Sequence, residues 1–149
     1  ARINRLLCEG TEIDQFVTFA WALVDPEAGV VRSVTAGHPA PRLVHADGRI
    51  ERLDVGGPLF GVLPGAAYAQ AETPFAPGDS LVLFSDGVSE ALRGAEEFGD
   101  EALDATLARL AGAPAEGVVD RLGAAVLAFA DDGVDDDLTL VAVRRTPEV

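Results

Sequence analysis

Lysine and methionine are absent from this 149-residue chain, and cysteine, tryptophan and tyrosine each occur once. With Cys8 as its single thiol the chain can close no intramolecular disulfide, which fits a reducing, cytoplasmic compartment. Cys8 falls in an apparent helix and reads as a small packing residue. No apolar run approaches the roughly 18 residues that a membrane helix requires. The first residues carry no signal-peptide pattern. Eleven cationic side chains, all arginine, face 25 carboxylates, for a net charge of −14. That balance argues against nucleic acid and anionic membranes as partners, since both demand a basic patch. The missing initiator methionine points to a processed or excised piece of a longer protein.

What is present is a core. Hydrophobic residues make up 48% of the chain, which excludes a disordered segment and suffices for one folded domain. No repeat or low-complexity linker interrupts it, so residues 1–149 read as a single domain. Ile3 to Leu7 look like the end of a helix closed by Gly10. Val17, Phe19, Trp21 and Leu23 alternate with small or polar residues, a period-2 strand signal. The turn Asp25-Pro26-Glu27-Ala28-Gly29 connects that strand to Val30–Thr35, giving a hairpin. Asp47-Gly48 marks a second hairpin between Arg42–His45 and Arg49–Leu53. Residues 56–65 form a glycine- and proline-rich loop, a flap or a long connection, and Ala67 to Phe75 suggest a further strand. Leu103, Leu107 and Leu110 lie on one face of a helix over Phe98–Leu110, and Val118, Leu122, Val126 and Phe129 stripe a second. A strand-rich first half, two consecutive helices and a closing strand make an α+β pattern. Trp21 is expected in the core and His45 on the surface.

Leu81-Val82-Leu83-Phe84 reads as a strand buried on both faces, and it ends abruptly in Ser85-Asp86-Gly87. A carboxylate at the end of a buried strand is costly unless a cation meets it. A second acidic knot, Asp135-Asp136-Asp137, precedes the strand Leu138–Val143. Two strand-edge carboxylate clusters far apart in sequence are what a hard divalent cation needs. The bland alternative for Asp86 is a turn aspartate capping the segment that follows. Asp131 and Asp132 look like helix-end charges.

Six elements occur here in a familiar order: Thr35-Ala36-Gly37-His38-Pro39, Gly57-Pro58-Leu59-Phe60-Gly61, Pro77-Gly78-Asp79-Ser80-Leu81, Phe84 to Ala91, Phe98-Gly99 and Asp136-Asp137-Leu138-Thr139. In these the chain resembles the SpoIIE-like branch of the metal-dependent, type 2C (PPM) serine/threonine protein phosphatases. The resemblance runs from about Asn4 to Arg145. It implies an antiparallel β-sandwich flanked by helices, with two Mn²⁺ or Mg²⁺ ions in a cleft at one end. Asp86 and Asp136 match the family's metal-binding aspartates. Asp137, Gly87 and His38 fall beside the site, as second-shell or substrate-loop residues, and no catalytic side chain is implied beyond the metal ligands. The family's Gly-Asp-x-x-Asp and Asp-Val-x-Gly-His-Gly type segments do not occur in this sequence, so the chain resembles about the C-terminal two-thirds of the domain, truncated at its N-terminus.

Hydrolysis of a phosphomonoester needs little covalent work from protein, since two divalent ions can bind phosphate oxygens and activate water. By resemblance, water attacks the phosphorus directly, without a phosphoenzyme, in a bacterial signalling protein that carries sensor domains upstream. The implied substrate is a phosphorylated anti-anti-sigma (STAS-type) factor of a partner-switching pathway. Two other readings stay open. One is a catalytically incomplete or degenerate module that acts by protein binding. The other is an acidic domain holding a single structural cation through Asp86 and Asp136. A truncated sandwich would expose sheet edges and apolar faces, which favours a homodimer.

Overall fold

The computed structural model describes residues 2–10, 15–131 and 136–147. In chain order the elements are α1 (Arg2–Gly10), β1 (Phe19–Asp25), β2 (Val30–Ala36), β3 (Arg42–Val44), β4 (Ile50–Arg52), β5 (Gly56–Gly57) and β6 (Ala71–Pro74). There follow β7 (Ser80–Phe84), α2 (Asp86–Ser89), β8 (Leu92–Arg93), β9 (Glu96–Glu97), α3 (Gly99–Arg109), α4 (Ala115–Phe129) and β10 (Leu140–Arg144). They divide into two compact units, one of Ala1–Ala40 with Leu53–Phe75, the other of Pro41–Arg52 with Ala76–Val149.

The first unit is built on the β1–β2 hairpin, paired antiparallel from Phe19↔Ala36 to Asp25↔Val30. Its turn follows the local chemistry: Ala28 N–H donates to Asp25 Oδ1 at 2.9 Å, and Gly29 adopts φ 68°. β6 adds antiparallel to β2, and β5 pairs with β2 in parallel. Gly56-Gly57, expected in a loop, pairs with β2 instead, and a Cβ on Gly56 would stand 1.8 Å from the Thr35 carbonyl oxygen. The missing side chain is what lets this segment close on β2. The strand expected over Ala67–Phe75 is confined to Ala71–Pro74. Helix α1 is fixed by one buried polar residue. Asn4 Nδ2 donates to Leu63 O at 2.8 Å, and Asn4 Oδ1 accepts from Gly61 N at 2.9 Å. Trp21, expected in the core, is 38% exposed, because β1 turns Phe19, Trp21 and Leu23 to one face and its alanines to the other.

The second unit carries the antiparallel sheet β10-β7-β3-β4. β7 is an inner strand, and Leu81, Val82 and Phe84 are buried, as its continuous apolar run requires. The Asp47-Gly48 turn closes the β3–β4 hairpin, with Gly48 at φ 87°. Leu103 and Leu107 of α3 and Val118, Leu122 and Val126 of α4 join Val44, Val82 and Phe84 in one core. The two helical stripes read from the sequence are therefore the buried faces. Phe129 packs edge-on to Phe98, with ring centroids 5.4 Å apart.

Two charged groups of this unit are buried. The Arg42 guanidinium is fully buried and bonds Asp104 Oδ1 at 2.7 Å and Asp100 Oδ1, pinning β3 to α3. Asp79 accepts the backbone N–H groups of Ala46 at 3.0 Å and Ala76 at 2.9 Å. His45, expected at the surface, is 12% exposed in its side chain, with Nδ1 3.3 Å from Asp79 and Nε2 3.4 Å from Glu51. Glu51 faces it across the hairpin, and Asp79 is brought in by the fold from far along the chain.

Replacing Asn4 by alanine leaves the Gly61 N–H and the Leu63 carbonyl without their partner, and should destabilise the chain by about 1–3 kcal/mol. Urea unfolding followed by circular dichroism would measure it. Asp25 gives a pH signature. The hydrogen bond from Ala28 N–H, aided by the Arg32 guanidinium, lowers the Asp25 carboxyl pKa. A lowered carboxylate contributes stability that is present above the unfolded pKa and is lost as pH falls through the folded one. The wild type should therefore exceed Asp25→Asn in urea midpoint at about pH 7, with the gap closing as pH falls below the ordinary aspartate value of about 4.

Candidate metal centre

Antiparallel pairing places the end of β7 beside the start of β10, with Phe84 opposite Leu140. The residues flanking that pair are stitched together. Ser85 N–H donates to Thr139 O at 3.1 Å, and Thr139 N–H donates to Ser85 Oγ at 2.9 Å. Ser85 Oγ in turn donates to Asp137 O at 2.7 Å. Gly87 completes the junction, for a Cβ there would lie 2.8 Å from Asp137 O and 3.3 Å from Asp136 O. Only a hydrogen at this position lets the turn after β7 approach the 136–137 backbone so closely. The structure thus brings together four residues expected at the site: Asp86, Gly87, Asp136 and Asp137.

Asp86 opens the short helix α2, whose turn is closed by Glu90 N–H donating to Asp86 O at 2.8 Å. Its carboxylate accepts from Gly87 N–H at 3.2 Å, and the Asp136 carboxylate accepts from Asp137 N–H at 2.7 Å. Both side chains, and that of Asp137, stand in solvent. The expectation that Asp86 suffers the cost of burial is therefore corrected: strand β7 is buried, and the aspartate beyond it is not. Neither Asp86 nor Asp136 forms an ion pair with a basic residue among the described residues. Asp135 and Asp132 lie outside the described residues, and Asp131 is exposed.

The donors are all hard oxygens, carboxylate and carbonyl, which suits Mg²⁺ or Mn²⁺ and not a soft metal. Among the described residues no three His, Cys, Asp or Glu side chains converge as a metal cluster. The carboxylates of Asp86 and Asp136 are of the oxygen-donor type that a divalent ion takes, and two of them alone would not complete its shell. His38 belongs to the other unit, where it is half-buried after β2 and its Nδ1 lies 3.1 Å from Thr18 Oγ1. Sequence reasoning missed Ser85 as a working residue. Its signal was its place, directly ahead of the Asp-Gly pair, with two backbone groups of another loop to satisfy.

A family model for Stage II sporulation protein E (SpoIIE) matches residues 1–146. The chain belongs to the SpoIIE family of protein serine/threonine phosphatases. Among its relatives is phosphoserine phosphatase RsbU of Bacillus subtilis, 25% identical over 96% of this chain and 43% of that protein. The SiaA-PP2C domain of Pseudomonas aeruginosa superposes with a TM-score of 0.81 at 16% identity, over 95% of this chain and 57% of the other. The manganese-presoaked SpoIIE phosphatase domain of Bacillus subtilis gives 0.73 at 20% identity, over 99% and 64%. These structural likenesses identify the type 2C phosphatase fold, α+β with antiparallel sheets. The chain spans 22% and 43% of the length of the curated relatives it matches.

The Gly87 contact yields a prediction. Gly87→Ala forces the 136–137 backbone away and should cost about 1–3 kcal/mol by overpacking. The same variant should show a smaller rise in melting temperature on adding Mn²⁺ than the wild type, measured by differential scanning fluorimetry.

Proposed function

We propose that this chain forms part of a divalent-metal-dependent phosphatase that removes phosphate from phosphoserine or phosphothreonine on a protein. Asp86 and Asp136 hold the metal, Mn²⁺ or Mg²⁺. The observation that carries this reading is the Ser85 junction, which ties the turn that carries Asp86 to the 137–139 backbone next to Asp136, with both aspartates in solvent. When bound, two such ions neutralise phosphate oxygens and lower the pKa of water that attacks phosphorus. The chain's own part is positional. Ser85 and Gly87 lock the two loops, Asp86 and Asp136 turn their carboxylates to solvent, and Asp137 follows Asp136 directly. His38 is read as a substrate-loop residue and not as a general acid.

The substrate proposed is a phosphorylated anti-anti-sigma factor of the STAS type. Membership of the SpoIIE family and likeness to a phosphoserine phosphatase, RsbU, support it. A second reading is favoured by one observation: no trio of metal-ligating side chains converges among the described residues. On that reading the chain binds a metal or a partner without turnover.

Hydrolysis of para-nitrophenyl phosphate separates the two. The phosphatase reading expects Mn²⁺-dependent turnover by the wild type that falls roughly a hundredfold or more in Asp86→Asn, since a metal ligand is lost. Stabilisation of the wild type by Mn²⁺, absent in Asp86→Asn and with no turnover in either, would establish the second reading instead.

A further inference from the structure

The first unit holds a groove that the metal centre does not use. Phe19 and Trp21 of β1 and Val34 of β2 form its floor, with Ile3 of α1, Phe60 and Tyr68 around it, and its volume is about 390 Å³. That lies within the range of about 300–1,000 Å³ in which proteins hold ligands. The walls are aromatic: Phe60 stands 5.5 Å from Phe19 and 4.9 Å from Tyr68, centroid to centroid. Beyond Ile3 the apolar surface continues in Leu6, and both side chains are more than half exposed.

Arg2 lines this groove and also a neighbouring cavity of about 360 Å³, shared with Arg5, Pro64, Gly65 and Ala66. The two arginines sit on adjacent turns of α1. That helix is anchored by the fully buried Asn4, so both guanidinium groups are carried by a fixed support. Arg32, Arg42, Arg49, Arg52 and Arg93 each pair with a carboxylate. Arg2 and Arg5 have no ion pair among the described residues. On a chain of net charge −14, two exposed arginines with no ion pair among the described residues stand beside an aromatic groove.

We propose that this groove docks a short segment of a protein partner in which an aliphatic or aromatic anchor stands next to acidic residues. The anchor enters between Trp21, Phe60 and Tyr68, and the carboxylates meet Arg2 and Arg5. Charge complementarity selects an acidic segment, because the rest of this surface repels one. Tryptophan, tyrosine and arginine are also the residues on which interface energy concentrates. The proposal stands whether or not the chain hydrolyses phosphoesters.

Trp21 is the only tryptophan, so its emission reports the groove directly. The 149-residue chain would be titrated with a synthetic peptide, Asp-Glu-Leu-Phe-Leu-Glu-Asp, and with its Asn/Gln counterpart. The acidic peptide should shift Trp21 emission saturably and bind more tightly than the neutral one. Its affinity should fall roughly tenfold in Arg2→Glu/Arg5→Glu, and should fall with added salt. Arg5→Gln, at an exposed position, should give a smaller loss in the same direction. Equal binding of the two peptides, or no loss in the arginine variants, would overturn the proposal. So would a Trp21 response only to vesicles of phosphatidylcholine with phosphatidylserine, or a self-association that occupies the groove and excludes the peptide.

Discussion

The site depends on the alignment of β7 with β10. Once Phe84 faces Leu140, the residues just beyond the pair must meet, and the backbone groups they bring must be satisfied. Ser85 does this with one hydroxyl, which accepts from Thr139 N–H and donates to Asp137 O. A two-residue shift in register would carry Asp136 away from Asp86 and leave that hydroxyl without either partner. The buried faces of β7 resist such a slip, because moving the strand would break its packing against the helical core.

The unit separates its charges by solvent access. Arg42 and Asp79 are buried, and each is tied to several groups, so they serve the fold. A buried charge of this kind is costly to leave alone and is rarely free to take a ligand. Asp86 and Asp136 are the reverse. They stand in solvent, and the backbone beside them is tied by Ser85 while their carboxylates remain open to a cation. A rigid base under exposed oxygen donors is what a hard metal ion with retained waters requires.

The first unit shows a different division. Alternation along β1 sends Ala20, Ala22 and Val24 to one face and Phe19, Trp21 and Leu23 to the other. The second face has the larger side chains and remains partly exposed, with aromatic neighbours from the 60–68 segment. Large apolar groups left in solvent near a cationic helix form a surface for contact, whereas the metal site is a place for polar chemistry. The two features rest on separate units and on opposite kinds of residue.

Much of this was legible in the sequence. The alternation of β1, the Asp25–Gly29 and Asp47-Gly48 turns, and the leucine and valine stripes of α3 and α4 are local signals, and each formed the element it specifies. Asp86 and Asp136 were legible as candidates because their motifs are short and contiguous, and the order of six motifs carried the resemblance to the SpoIIE family, whose model matches residues 1–146. Tertiary structure alone decided what depends on groups far apart in the chain. It put Trp21 at a partly open face, drew His45 between Asp79 and Glu51, buried Arg42 against Asp100 and Asp104, and made Ser85 the junction of two loops. Local sequence sets backbone preference and which side of a strand is apolar. Burial and hydrogen-bond partnership are set by whatever the rest of the chain brings to that side.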